Sequence, residues 1–281
     1  MAYKDLLLTL TTYPEPTSAS ALDQAVGFAA VMGAQLSAIA CEAKFKTPGS
    51  ILGDSLLDIP ALAAEQTRRS AANADALLAS FKDLAKKCGV SHQEIRERCF
   101  PSDIPRVLTE HARLRDLTIV PVPGGEFWDG AYAEAIIFGS GRPALVVSDA
   151  AKAIHFAPNT VIVAWDFSRP AARAVADAIP ILKKAEKVYV VMVTHEKAID
   201  IATGADLLKH LRIHGIDAKL DTVEAAGRSI GDSLEAYADS RNADLLVMGA
   251  YGHSRVRDFV LGGATKSMIC DPPPLPIFLS H

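Results

Sequence analysis

Between Val247 and Met268 the chain reads VMGAYGHSRVRDFVLGGATKSM, with Gly249 and Gly252 followed after a nine-residue gap by Gly262 and Gly263. Glycines so placed let the backbone approach a ligand closely, and the second pair can turn the chain into a helix beginning near Thr265. Successive backbone N–H groups at such a turn, with a helix dipole behind them, form an anion site suited to phosphates. Arg255 and Arg257 add positive charge nearby. The same glycines also serve plain turn geometry, and their spacing alone does not separate the two readings.

Residue types argue against three other chemistries. Gly252, His253 and Ser254 begin like a nucleophile elbow, but Val256 stands where its second glycine belongs, so His253 and Ser254 read as a polar loop pair. No GK[ST] run follows the glycines, as a P-loop requires. Cys41, Cys88, Cys99 and Cys270 are far apart, without CxxC spacing or clustered His, and read as reduced, mostly buried thiols.

The elements that hold the glycines repeat along the chain. Asp116 to Val120 (DLTIV) matches Asp244 to Met248 (DLLVM) at an offset of 128, Leu6 to Leu10 (LLLTL) matches Val161 to Trp165 (VIVAW) at 155, and Ala144 to Val147 (ALVV) matches Pro276 to Leu279 (PIFL) at 132. The fall from 155 to 128 leaves 27 extra residues in the first half, around Lys44 to Arg69, in a Pro/Gly-containing stretch followed by helix. The rise to 132 leaves four extra residues after DLLVM, where the glycines are.

Each half alternates short Val/Ile/Leu runs with amphipathic segments, the pattern of βα units on a buried parallel sheet. In the first half, Ser20 with Asp23 three later reads as a helix start and Gly33 as its stop. In the second, Ser168 caps a helix entered through Arg169 and Pro170, and Pro180 kinks or ends it. Strands at 188–193 and 216–223, helices to His214 and across Ser233 to Ser240, a last helix near Thr265 to Cys270 and a closing strand complete the unit. The expected fold is therefore α/β, with two tandem doubly wound domains, 1–150 and 151–281, each on a five-stranded parallel sheet. Ligands of such sheets lie beyond the carboxyl ends of the strands. Asp166 at the end of the first strand and Gly249 after the fourth then share one crevice.

A chain of 281 residues accommodates two such cores. Its 29 basic and 33 acidic residues, net −4, are mixed along the length, which gives no footprint for nucleic acid or an anionic membrane. The apolar run in MAYKDLLLTLTTYPEP is too short for a signal peptide or a span, so a soluble cytoplasmic protein is expected.

Gly249-x2-Gly252-x9-Gly262 directly after DLLVMG, together with Asp166 in VIVAWDFS, resembles the universal stress protein family. The resemblance covers Asn159 to His281 by motif and the first half by repeat pattern only. It implies an adenine nucleotide alpha hydrolase-like fold, pairing through the last strand, and ATP, with or without Mg2+, as ligand. Asp166 would then serve the ribose and adenine end, with backbone at Ala164 and Trp165 beside it and Val193 offering main-chain contacts to the base. Gly249, Gly252, Gly262, Gly263, Ala264 and Thr265 would surround ribose and phosphates. The family's pattern has Ser, Thr or Asn where this sequence has Gly263, and Trp165 is bulky enough to stack on the base or to block it.

In the first half Thr11 stands in place of Asp166 and Pro121 in place of Gly249, and the loop PGGEFWDGAY is shorter, with Phe127 and Trp128 as packing residues. One nucleotide site per chain is expected, in the second half, on a protein that regulates without catalysing, slow ATP turnover aside. The alternative on the same fold is a scaffold in which the glycines are inherited geometry. The terminal strands ALVV and PIFL are expected to cover each other's edges in an intramolecular pseudo-dimer, with or without a further homodimer.

Overall fold

The computed structural model describes residues 2–45, 59–123, 131–148, 158–194, 201–250 and 275–281. Its first unit runs β1 (Asp5–Leu10), α1 (Ala19–Met32), β2 (Gln35–Ala43), α2 (Ile59–Lys87), β3 (His92–Cys99), α3 (Ile104–Ala112), β4 (Leu117–Val122), α4 (Ala131–Gly139) and β5 (Ala144–Ser148). The second runs β6 (Thr160–Ala164), α5 (Arg169–Leu182), β7 (Lys187–Thr194), α6 (Ala202–Ile213), β8 (Ala218–Glu224), α7 (Ile230–Ser240), β9 (Leu245–Gly249) and β10 (Ile277–Ser280). The expected boundary near residue 150 and the expected helix at Thr265 to Cys270 lie outside the described residues.

The ten strands of the described residues form one sheet in the order β3-β2-β1-β4-β5-β10-β9-β6-β7-β8. Each unit thus repeats the same internal order, and the units meet where β5 and β10 pair antiparallel, Leu145 opposite Phe278 and Val146 opposite Ile277. Every other strand pair is parallel. This is the expected seam: two apolar edges are removed from water at once, and Phe278, fully buried, packs into it. Tyr3 ties the units further by donating its hydroxyl to the Asp177 carbonyl, and the rings of Phe138 and His281 meet edge to face at 4.9 Å.

Strands β1, β4, β5, β6, β9 and β10 are buried along almost their whole length, because α1, α2, α5 and α6 cover one face and α3, α4 and α7 the other. The outermost strands β3 (HQEIRERC) and β8 (AKLDTVE) alternate or are exposed, and their charges discourage edge-to-edge pairing.

Helix ends follow local chemistry. Ser168 caps α5, accepting from Ala171 N at 3.2 Å, as expected, and Pro180 is absorbed inside the helix. The start of α1 differs from expectation: Ser18, with extended backbone, accepts from Ala21 N at 3.2 Å, so the cap lies two residues before Ser20. Ser18 precedes the first apolar contact of the helix by the right interval, whereas Ser20 already lies within it. Gly33 ends α1 at φ 64°, a left-handed position that glycine adopts without a Cβ penalty. The cysteine expectation also needs correcting, since of Cys41, Cys88 and Cys99 only Cys41 is buried. Cys88 follows the exposed end of α2, and Cys99, at the end of an edge strand, is half-buried against the core.

Candidate functional site

The second unit's switch point lies between β6 and β9, which pair with each other while the chain leaves β6 for α5 and β7. The residues that follow β6 are Trp165, Asp166, Phe167 and Ser168. Trp165 N still donates to Val191 O at 2.9 Å, extending the β6–β7 ladder by one bond. Strand β6 proper ends at Ala164, half-buried, so Asp166 sits in the turn rather than in the strand where the sequence placed it. Its carboxylate is exposed, and Oδ1 accepts from Ser168 N at 2.9 Å, which closes a tight turn.

Trp165 is only 8% exposed and belongs to the core cluster on the face that α5 covers. The indole therefore neither lies open as a stacking surface nor projects as a plug. Its Nε1–H is buried with no acceptor among the described residues. A buried donor in that state costs on the order of 1–3 kcal/mol, a deficit that a ligand oxygen or nitrogen in reach would remove.

Val193 comes to the same place from β7. Val191 turns its carbonyl to β6, and backbone groups in a parallel strand face the same neighbour every second residue, so Val193 turns its own toward the space just past the end of β6. Its side chain points through the sheet to the opposite core, with Leu234 and Tyr237.

Gly249 is the last residue of β9 rather than the first of the loop. A Cβ built on it would stand 2.4 Å from Ala171 N and 2.6 Å from Pro170 C. The glycine is thus demanded by the chain's own helix: α5 starts directly across the end of β9, and no other residue leaves it room. That packing fixes the α5 N-terminus over the switch point, and with it the turn that carries Asp166.

The structure therefore brings together Ala164, Trp165, Asp166, Val193 and Gly249. Gly252, Gly262, Gly263, Ala264 and Thr265, with Arg255 and Arg257, lie outside the described residues, as do Phe127 and Trp128. Among the described residues no group of three or more His, Cys, Asp or Glu could hold a metal ion, and no helix is long and apolar enough to cross a membrane.

Sequence reasoning passed over Phe167. Its backbone has φ 59°, uncommon for a bulky side chain, its ring is 68% exposed, and that ring meets Trp165 edge to face at 6.0 Å and 71°. The signal was available, since Phe167 directly follows the strand-end acid.

The first unit builds the equivalent place differently. Cys41 and Val193 stand equally far along their strands from the pairs that open each ladder, Asp5 with Gln35 and Thr160 with Lys187. The Cys41 carbonyl accepts from Thr12 Oγ1 at 2.6 Å, and that hydroxyl also meets Ser70 Oγ of α2 at 2.8 Å. Ser70 Oγ accepts from Ala43 N at 2.8 Å, and Asn73 Nδ2 donates to Thr12 O at 2.9 Å. A small cavity remains beside this network, lined by Thr11, Thr12, Tyr13, Cys41, Pro121 and Tyr132 among others.

The model of the universal stress protein family matches residues 158–269. A universal stress protein from Archaeoglobus fulgidus DSM 4304 superposes with a TM-score of 0.73 at 16% identity, covering 98% of each chain. A protein of unknown function from Pseudomonas aeruginosa PAO1 superposes with a TM-score of 0.59 at 14% identity, over 98% of this chain and 92% of that one. At these identities the likeness establishes the fold of the whole chain. No curated protein matches it.

Proposed function

From a chain whose residues 158–269 are a universal stress protein domain, we propose a protein that binds ATP or another adenine nucleotide at one site, at the β6–β9 switch point, and acts as a nucleotide-dependent regulator in the stress response. The observation that carries this reading is the turn after β6. An exposed carboxylate, Asp166, a buried indole donor with no acceptor among the described residues and the outward-turned backbone of Val193 converge where a doubly wound sheet takes its ligand.

In this reading Asp166 accepts hydrogen bonds from the ribose and adenine end, and Val193 offers main-chain groups to the edge of the base. Gly249 acts by letting α5 close over β9, which holds the Asp166 turn in place. Gly252, Gly262, Gly263, Ala264 and Thr265 would give backbone N–H groups to the phosphates, and Mg2+, if carried in, would come with them. In this reading the nucleotide serves as a signal rather than a substrate, slow ATP turnover aside.

Mass spectrometry of small molecules released from the gently isolated chain, followed by calorimetric titration with ATP, tests the proposal. The expected result is an adenine nucleotide and one site per chain. Absence of both, with the chain folded, would leave a scaffold of the same fold.

A further inference from the structure

The turn after β6 contains one feature that neither the nucleotide reading nor core packing uses. Phe167 holds a large apolar ring in water at a backbone conformation that glycine would adopt more easily. Exposure gives little hydrophobic gain and the left-handed φ carries a steric cost, and among the described residues the ring's contact is the edge of Trp165. The ring is nevertheless held: the Asp166 Oδ1 bond to Ser168 N fixes the turn on one side, and the edge of the buried Trp165 indole fixes the ring on the other. An exposed aromatic ring thus stands directly after the acid, in the same turn as an indole N–H with no acceptor among the described residues.

Resting on the nucleotide reading above, we propose that Phe167 is the stacking platform for the ligand's heterocyclic base, with Trp165 as the positioning residue that holds its ring. The ligand class is then a nucleotide with an aromatic base, discriminated from base-free phosphates by the ring. Base–aromatic stacking tolerates any base with a π-face, so the platform contributes affinity while backbone groups such as those of Val193 select among bases.

The test compares ATP with tripolyphosphate, the second measured by its competition with ATP, on the parent chain and on Phe167→Ala, Phe167→Gly and Phe167→Tyr. Loss of stacking should weaken ATP about tenfold in the alanine and glycine variants, leave tripolyphosphate unchanged, and spare ATP in the tyrosine variant. Glycine relieves the backbone at this position and alanine does not, so Phe167→Gly should melt higher than Phe167→Ala while binding ATP equally weakly. A ring that served only folding would make ATP affinity follow melting temperature. Alanine and glycine variants that bind ATP as the parent does would overturn the platform and leave the nucleotide site standing. A parent chain that binds no ATP removes site and platform together.

Discussion

The two units share a strand order, a seam and a capped first helix, yet the space past their first two strands is used in opposite ways. In the first unit the backbone groups at the ends of β1 and β2 are consumed by the chain itself: Thr12, Ser70 and Asn73 bond the Cys41 carbonyl, the Ala43 amide and the Thr12 carbonyl. Helix α2, whose counterpart between β7 and β8 is α6, supplies two of those three side chains. In the second unit the same place carries an exposed acid and a buried indole N–H with no acceptor among the described residues. A fold that offers polar backbone at its switch point must satisfy it with something, and the difference lies in whether that partner is covalently part of the chain.

The sharpest way to break the comparison is at Gly249, whose counterpart is Pro121. Gly249→Val drives a side chain into the backbone of α5 and should cost about 3 kcal/mol, read as a lower urea midpoint, whereas Pro121→Val in β4 should cost about 1 kcal/mol. Equal losses would mean that the close crossing of α5 over β9 is not what the glycine serves.

Next in size is the acid. Asp166→Asn keeps the turn but removes the charge, and ATP affinity should fall by about 1.5–3 kcal/mol in calorimetry. Thr11→Asp in the first unit should create no second site, because Thr12, Ser70 and Asn73 still occupy the groups a base would need. Two sites in that variant would collapse the contrast.

The self-made network can be measured directly. Ser70→Ala leaves the buried Ala43 N–H without its acceptor and should lower stability by about 2 kcal/mol, without altering ATP binding in the second unit. The smallest effect concerns what the units have in common: Ser18→Ala and Ser168→Ala each remove an N-cap and should each cost about 1 kcal/mol in denaturant melts. A loss at one cap alone would show the units to differ even in their first helix.

Much of this architecture is legible from repeated apolar runs, because fully buried strands such as TVIVA and LLVMG must be uninterrupted, and their mirrored spacing exposes the duplication. Edge strands are less legible. The residues HQEIRERC give no apolar signal, since their place in the fold selects charge, and the β3 ladder is set by its partner β2. At the site, Asp166 and Val193 were marked in sequence, but the reason for Gly249 was misread. Nothing local shows that another helix begins 2.4 Å from where its side chain would be. Nor does the sequence show that the Trp165 indole is buried in the core, since that follows from how the helices pack on the sheet. Ser70 and Asn73 look like ordinary polar helix positions until β1 and β2 are folded beneath them.

The seam also sets a schedule for synthesis. Strand β5 is complete at Ser148, but the strand that covers its edge begins only at Ile277, ~130 residues later, which at a translation rate of about 5–20 residues per second leaves the edge open for roughly 6–26 seconds. Throughout that interval the nascent first unit presents the apolar strand ALVVS with unpaired backbone, a template for any neighbouring chain on the same message. Until β10 arrives, the newly made unit has the surface of an aggregation-prone intermediate, and holdase chaperones would be expected to bind it at β5.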